Sequence, residues 1–382
     1  MEEPVLAVPT VVTTYNQQRD SRALAKLHDE LQTLDTFTEV SSINSPADLA
    51  VVPETCLVRA RYRFTACALG QLCTLLAPGA SQLLFNISGL RPNSRSKVYD
   101  RTLAVAILND LLYLRFKQIA GSRVLLNRKT KTIEGIIGPR YRYYSNFAML
   151  RRVADFVNSA KVPVQFTEAV VDGRQFLIRY KCNDPLFALK TERELYEPFF
   201  GGYQFENIEA GDCAIKGTTI FIRQWCDNKA VAPVLHTDRV PHIRTAKFDL
   251  RLDGLLQRVT AKTQQVTVLK DRVLALMHTK LRLGQTPLEH AARVNELSAK
   301  LVRKGLTRVL ADRVLNTVIA FGSYRHQALA TTTGGSIMQV LAQRTHYDLF
   351  NALTYAAKTE TADLRLQAEQ LGYSLLVGTF TV

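Results

Sequence analysis

Apolar positions recur along this chain with two periods, and the balance between them shifts near residue 122. Between Ser21 and Leu34, Ala23, Leu24, Leu27 and Leu31 have the spacing of one helical face. The stretch "SSINSPADLAVVPET" then predicts an extended linker broken by Pro46 and Pro53. "LVRARYRF" alternates apolar and basic positions, as a short strand does. Thr65 is placed to cap a helix through "ACALGQLCTLL", which Pro78-Gly79 stops. "VYDRTLAVAILNDLLYLRFKQIA" predicts a long helix closed by Gly121.

Beyond that glycine the period shortens. "RVLLNRKTKTIEGIIG" reads as two short strands around a polar turn. "NFAMLRRVADFV" returns to helical spacing, with Phe147, Leu150, Val153, Ala154 and Val157 on one face. "VQFTEAVVDGRQFLIRYKC" predicts a hairpin turning at Asp172-Gly173, and "GDCAIKGTTIFIRQWC" a second one turning near Lys216-Gly217. After residue 250 no strand pattern is strong except in the last few residues. Helices are expected over 251–280, 287–304, 306–320, 336–357 and 360–371, with Thr286, Pro287 and Glu289 starting one of them. The expected fold is α+β: a small antiparallel sheet built from hairpins around a central helix, with a helical C-terminal region. The expected divisions are an N-terminal arm and helix over 1–55, a core over 56–250, and the helical region over 251–382.

Charge adds a direction to this plan. The 382 residues carry a net charge of +15, unevenly spread. Residues 1–55 hold three Lys/Arg against nine Asp/Glu, a net of −6. Residues 56–250 hold 29 against 16, a net of +13, and residues 251–382 hold 17 against 9, a net of +8. A basic body behind an acidic leading segment favours polyanion partners, chiefly nucleic acid; excess Lys/Arg that serves only solubility is the competing explanation. No leader pattern is visible at the N-terminus, and no apolar run approaches the ~20 residues that cross a bilayer, so a soluble, intracellular protein without membrane contact is expected. Cys56, Cys67, Cys73, Cys182, Cys213 and Cys226 form no C-x-x-C pair and read as reduced, mostly buried thiols.

Catalytic motifs are missing. The sequence has no Walker phosphate loop, no G-x-G-x-x-G, no G-x-S-x-G and no H-E-x-x-H. "TTTGGS" at 331–336 lacks a lysine and a preceding strand, and reads as a loop rather than an anion site. Cys213, Cys226, His236 and His242 are spaced by 13, 10 and 6 residues, which fits no compact zinc pattern. Glu192/Glu194 and Glu206/Glu209 are expected as solvated charges in polar loops. No cofactor, no metal and no enzymatic activity are therefore expected.

The basic-aromatic stretch is different. Arg123, Arg128, Lys129, Lys131, Arg140, Arg142, Arg151 and Arg152 have only Glu134 among them, and Tyr141, Tyr143, Tyr144 and Phe147 interleave. In a strand, Arg140 and Arg142 would share one face and Tyr141 and Tyr143 the other. Arginines pair with phosphates and tyrosine rings stack on bases, as single-stranded nucleic acid requires. The alternative is that the rings cover a sheet edge and the arginines are solvated. Arg59, Arg61 and Arg63 repeat the alternating basic pattern in "RARYRF".

These residues carry a resemblance. "TIEGIIGPRYRYYSNFAMLRRVADFV" resembles the central motif of the phage- and plasmid-associated family called domain of unknown function 932, with Gly138, Tyr141, Asn146 and Leu150 at its recurrent places. "CAIKGTTIFIRQWCDNKAV" is similar to that family's later strand, here with Arg223, Cys226 and Asn228, although Asn228-Lys229-Ala230 departs from its usual Asn-Thr-Leu. "HIRTAKFDLRLDGLLQRV" resembles the segment and helix that follow. The resemblance covers roughly residues 130–270 and implies a setting among viruses and mobile elements of bacterial hosts, hence the host cytoplasm. It implies no established chemistry.

Two function classes follow. One is a non-enzymatic protein that binds or anneals single-stranded DNA in replication or recombination, with RNA or duplex DNA as other polyanions it could take. The other is a virus-encoded oligomeric structural or protein-interaction protein. The first twenty residues have β-branched character without a local partner, and are expected to form an arm that docks on the next subunit of a homo-oligomer.

Overall fold

Two sheets, lined by helices, organise the chain. A computed structural model describes residues 7–8, 12–17, 20–53, 55–59, 61–79, 101–159, 163–190, 196–210, 213–225, 228–262, 269–319, 344–357, 360 and 362–380. The larger sheet has six antiparallel strands, in the spatial order Val12–Asn16, Val164–Asp172, Gln175–Lys190, Tyr196–Ile208, Ile215–Trp225 and Asn228–Val240. Its first hairpin turns at Asp172-Gly173 as expected, with Gly173 at φ +56°. The second sheet is mixed. Ala7–Val8 and Arg63–Thr65 run parallel, Arg63–Thr65 and Thr132–Ile137 run parallel, and Arg123–Asn127 and Thr38–Ser42 complete it antiparallel.

The α+β class holds. The sheet is larger than expected, and three helices rather than one line its face. Phe176, Ile178, Tyr180, Tyr203, Phe205 and Ile215 pack against helices Ala23–Phe37, Asn146–Ser159 and Phe248–Ala261. Helix Asn146–Ser159 buries Met149, Leu150 and Val153, close to the face expected from its spacing. The smaller sheet packs Val124, Leu126, Ile133 and Ile136 on helices Ala66–Leu76 and Arg101–Leu114. Thr65 caps the first of these, its hydroxyl accepting from the Ala68 N–H at 3.2 Å. The long helix expected up to Gly121 ends at Leu114 and continues as a short 3₁₀ turn, Phe116–Gln118, before Gly121 at φ +76°.

The C-terminal helices are Lys270–His278, Pro287–Arg303, residues 308–319, His346–Ala356 and Ala362–Leu376. They share a core with Leu189, Phe199 and Phe221 of the larger sheet. The helix expected to start at Thr286-Pro287 does so, and Thr286 and Glu289 form a capping box there. Residues 336–343 of one expected helix lie outside the described residues, and the described part of the last few residues, 377–380, contains no strand.

Three expectations are corrected here. Ile215–Trp225 is one continuous strand with Gly217 inside it, not a hairpin. A side chain at Gly217 would put Cβ 2.5 Å from Leu255 Cδ2, so this glycine admits helix Phe248–Ala261 to the sheet face rather than turning the chain. The N-terminal segment does not form an arm in its described parts. Val12–Asn16 pairs with Glu168–Asp172, and Ala7–Val8 with Phe64–Thr65, so it supplies strands to both sheets of its own chain. "LVRARYRF" is not one strand. Leu57–Val58 and Arg63–Thr65 flank a tight turn in which Arg59 sits at φ +50° and Val58 faces Tyr62. Residues before 55 supply strands to both sheets, and helix Phe248–Ala261 spans position 250.

Buried ion pairs join the layers. Arg179 is fully buried between Glu168 of the neighbouring strand and Glu369 of helix Ala362–Leu376, and Arg365 of that helix binds both carboxylates. Arg223 pairs with Glu197, whose other oxygen accepts from the Tyr347 hydroxyl at 3.0 Å. Arg174 binds Glu134 of the smaller sheet and Glu209 beyond strand Tyr196–Ile208, so one guanidinium links the two sheets. Among the described residues no helix is long and apolar enough to cross a membrane.

Candidate nucleic-acid interface

The smaller sheet distributes the predicted basic residues to its two ends. At one end, strands Arg123–Asn127 and Thr132–Ile137 meet in a tight turn. The Asn127 carboxamide oxygen accepts from the N–H groups of Lys129 and Thr130, at 3.0 and 3.1 Å, and Lys131 adopts φ +57°. That turn holds Arg128 and Lys129 in solvent. Arg63 joins them because its N–H donates to the Lys131 carbonyl at 3.0 Å. Arg128 donates to the Thr36 carbonyl at 3.2 Å, and the Lys129 ammonium lies 5.7 Å from the ring centre of Phe37. Phe37 remains 36% exposed, so an aromatic face stands beside the cations. Arg61 is exposed nearby, over the Tyr62 ring. Arg59 departs from the predicted set, because its guanidinium is held by Asp48.

The opposite end carries Arg123, Arg140 and a residue the sequence reading left out. Residues 140–142 are not part of a regular strand. They form a short antiparallel ribbon with 242–244: the Arg142 N–H donates to the His242 carbonyl at 2.9 Å, and the Arg244 N–H to the Arg140 carbonyl at 3.1 Å. Arg244 and Lys247 are exposed here. The basic string "HIRTAK" was the only signal for them, and nothing in it indicated that it would lie across from Arg140.

The tyrosines face inward. Tyr141 stacks on His242, ring centres 4.7 Å apart, and its hydroxyl donates to the Ile208 carbonyl at 2.7 Å. Tyr144 packs on Phe248 at 5.4 Å, and burial pushes its hydroxyl up to about 12. Tyr143 sits by Glu209 and Arg174, and burial raises its hydroxyl further. Burial likewise drops the His242 imidazole to about 4, so it is neutral at pH 7. These rings help fasten the ribbon to the body, together with its backbone bonds and the bond from Arg123 to the Tyr141 carbonyl. They are positioned as packing, and the exposed ring beside the cations is Phe37.

Two of the predicted arginines are matched to carboxylates. Arg142 pairs with Asp249 at 3.0 Å and covers the Phe248 ring, and Arg152 makes a two-pronged contact with Asp253. Both bonds tie the start of helix Phe248–Ala261 to the ribbon and to helix Asn146–Ser159. Arg151, one position earlier, projects into solvent.

The remaining candidates divide similarly. Among the described residues no group of three His, Cys, Asp or Glu side chains is placed to hold a metal ion. Cys226 and "TTTGGS" lie outside the described residues, as do Glu192 and Glu194. Of the cysteines, Cys56 and Cys73 are buried, and burial pushes the Cys73 thiol up to about 12, whereas Cys67 and Cys213 are exposed. Glu206 and Glu209 are not loop charges. Glu206 lies on a strand and pairs with Lys216 at 3.2 Å. Glu209 is buried against Arg174 and accepts from the Asn146 N–H; burial raises its carboxyl, with Arg174 opposing.

The surface that results is cationic at both ends of one sheet, with a partly exposed aromatic ring at one of them. Compared with known proteins, the chain matches no family model, no curated protein and no solved structure.

Proposed function

We propose that this chain is a non-enzymatic protein that binds or anneals single-stranded DNA during replication or recombination of a phage or mobile element. The observation that carries the reading is the imbalance on the smaller sheet. Arg63, Arg128, Lys129 and Lys131 at one end, and Arg123, Arg140 and Arg244 at the other, have no acidic partner among the described residues. The buried Arg174, Arg179, Arg223 and Arg365 are matched to carboxylates, whereas these seven cations lie on or near the surface. The intervening strand is five residues long, and at about 3.3 Å per residue it separates the two groups by roughly 16 Å, which two or three extended nucleotides span. The resemblance of residues 130–270 to a phage- and plasmid-associated family supplies the setting.

The test is a binding titration with single-stranded, duplex and RNA oligonucleotides at two salt concentrations. Arg128→Glu with Lys129→Glu should lose most single-strand affinity and flatten the log-log salt slope by about 1.4, roughly 0.7 for each phosphate contact removed. The melting transition should stay cooperative, because both side chains are exposed. Unchanged affinity and slope would remove this end of the sheet from consideration.

The alternative, an oligomeric structural or protein-interaction protein, is favoured by one feature. Leu103, Tyr113 and Leu114 stand exposed on helix Arg101–Leu114, at 54%, 61% and 81%. Light scattering that gives a concentration-dependent oligomer, together with no oligonucleotide binding at low salt, would select it.

A further inference from the structure

The ribbon of 140–142 and 242–244 brings three arginines into one place. Arg140 and Arg244 stand opposite each other across it, joined by the bond from the Arg244 N–H to the Arg140 carbonyl. Arg123, the first residue of its strand, sends its guanidinium to the Tyr141 carbonyl in the middle of the same ribbon. Like charges facing each other across an antiparallel pair are destabilising. Partial burial, with the charge of Arg244 adding to it, lowers the Arg123 guanidinium from the ordinary arginine value. The Nε of Arg123 is closed to solvent and has no hydrogen-bond partner among the described residues.

Three buried arginines are neutralised. Arg174, Arg179 and Arg223 each have at least one carboxylate within ion-pair distance. The nearest acid along the helix that follows the ribbon, Asp249, is directed to Arg142 instead. Half-buried Arg123 and exposed Arg140 and Arg244 meet at the ribbon with no carboxylate paired to them among the described residues, which leaves an unbalanced cationic point there. The matching ligand is compact, carries one or two negative charges and offers several acceptor oxygens to guanidinium donors.

We propose that Arg123, Arg140 and Arg244 form a phosphate-binding subsite that takes one backbone phosphodiester of a bound nucleic-acid strand. The source of the phosphate rests on the nucleic-acid reading above, whereas the subsite rests on the arginines. Occupancy relieves the repulsion across the ribbon, so the anion stabilises the folded chain by mass action. The free chain in turn retains a local strain that removal of either exposed arginine relieves.

The test uses the full chain and two probes, inorganic phosphate and a short single-stranded oligodeoxynucleotide. Thermal melts are recorded in phosphate and in chloride at matched ionic strength. Phosphate should raise the wild-type midpoint above that in chloride. Arg140→Gln and Arg244→Gln, both exposed positions, should melt at or above wild type in chloride and lose the increment from phosphate. Arg151→Gln, an exposed arginine elsewhere, should keep it. No phosphate increment in wild type, or an equal increment in all four proteins, overturns the subsite. With the oligonucleotide, Arg244→Gln should bind several-fold more weakly and reduce the salt slope by about 0.7. An unchanged slope in a protein that binds the oligonucleotide overturns the assignment of a backbone phosphate to this site. If phosphate stabilises through these arginines and no oligonucleotide binds, the subsite stands and the nucleic-acid reading falls.

Discussion

Replacing Arg179 by Met tests how the C-terminal helix is held on the sheet. Arg179 is fully buried and donates to four acceptors: Gln204 Oε1 at 2.6 Å, Glu168 Oε1 at 2.8 Å, and both oxygens of Glu369. Met fills much of the volume but supplies no donor. Two enclosed carboxylates would then face Arg365 alone, leaving a net charge of −1 away from water. Breaking a buried pair from one side costs about 3–5 kcal/mol. The stranded Gln204 oxygen lies within the same range of effects, at about 1–3 kcal/mol for an unsatisfied buried acceptor. Arg179→Met should therefore lower unfolding free energy by about 4 kcal/mol. The decisive control is Arg179→Met with Glu369→Met, which leaves Arg365 and Glu168 as a matched pair. That double variant should recover to within about 2 kcal/mol of wild type, since apolar replacement of a whole buried ion pair is often close to neutral. Urea titrations followed by circular dichroism measure both. A single variant within 1 kcal/mol of wild type, or a double variant no better than the single, would refute the view that charge balance rather than contact number governs this layer.

Two further outcomes follow from buried groups. Burial alone would raise the Glu168 carboxyl, but the charges of Arg365 and Arg179 outweigh it and hold the group down at about 2, from an ordinary 4.5. A depressed carboxylate contributes stability that is complete above its unfolded value and is lost as pH falls through the folded one, so about 3 kcal/mol should disappear between pH 4.5 and pH 2, and urea midpoints that stay flat over that window would contradict it. Gly217→Val should cost about 3 kcal/mol by driving Leu255 and Val259 off the sheet face, where the missing Cβ would sit 2.5 and 2.8 Å from their methyl groups; a midpoint equal to wild type would show that helix Phe248–Ala261 is free to shift outward.

What the sequence disclosed was local. The Asp172-Gly173 turn, the Thr65 cap and the helix start at Thr286, Pro287 and Glu289 each depend on residues within four positions, and each was legible. Gly217 was misread because a turn glycine and a packing glycine look alike until the helix some forty residues later is placed against it. Arg59 left the basic set because its acid, Asp48, sits in what read as a linker. Glu209 read as a solvated loop charge because its partner Arg174 lies at the tip of a different hairpin. The basic content of the candidate interface was visible, but its arrangement was not. Arg140 and Arg244 are a hundred positions apart, and only the ribbon makes them neighbours. The tyrosines were visible as aromatic, whereas their inward direction depends on His242 and Phe248, again about a hundred positions away.

The pairing of Val12–Asn16 with Glu168–Asp172 bears on how the chain emerges from the ribosome. The partner of this edge strand follows it by about 150 residues, and the helix that seals Glu168 and Arg179 comes about 190 residues after that. Until residues 164–172 follow, Val12–Asn16 has no partner strand in its sheet, and Arg179 and Glu168 then await Arg365 and Glu369. Distant pairings of this kind slow folding and expose strand edges to other chains. Before the hairpin at Gly173 is complete, the unpaired edge of residues 12–16 is a site at which new copies of the chain would pair with one another.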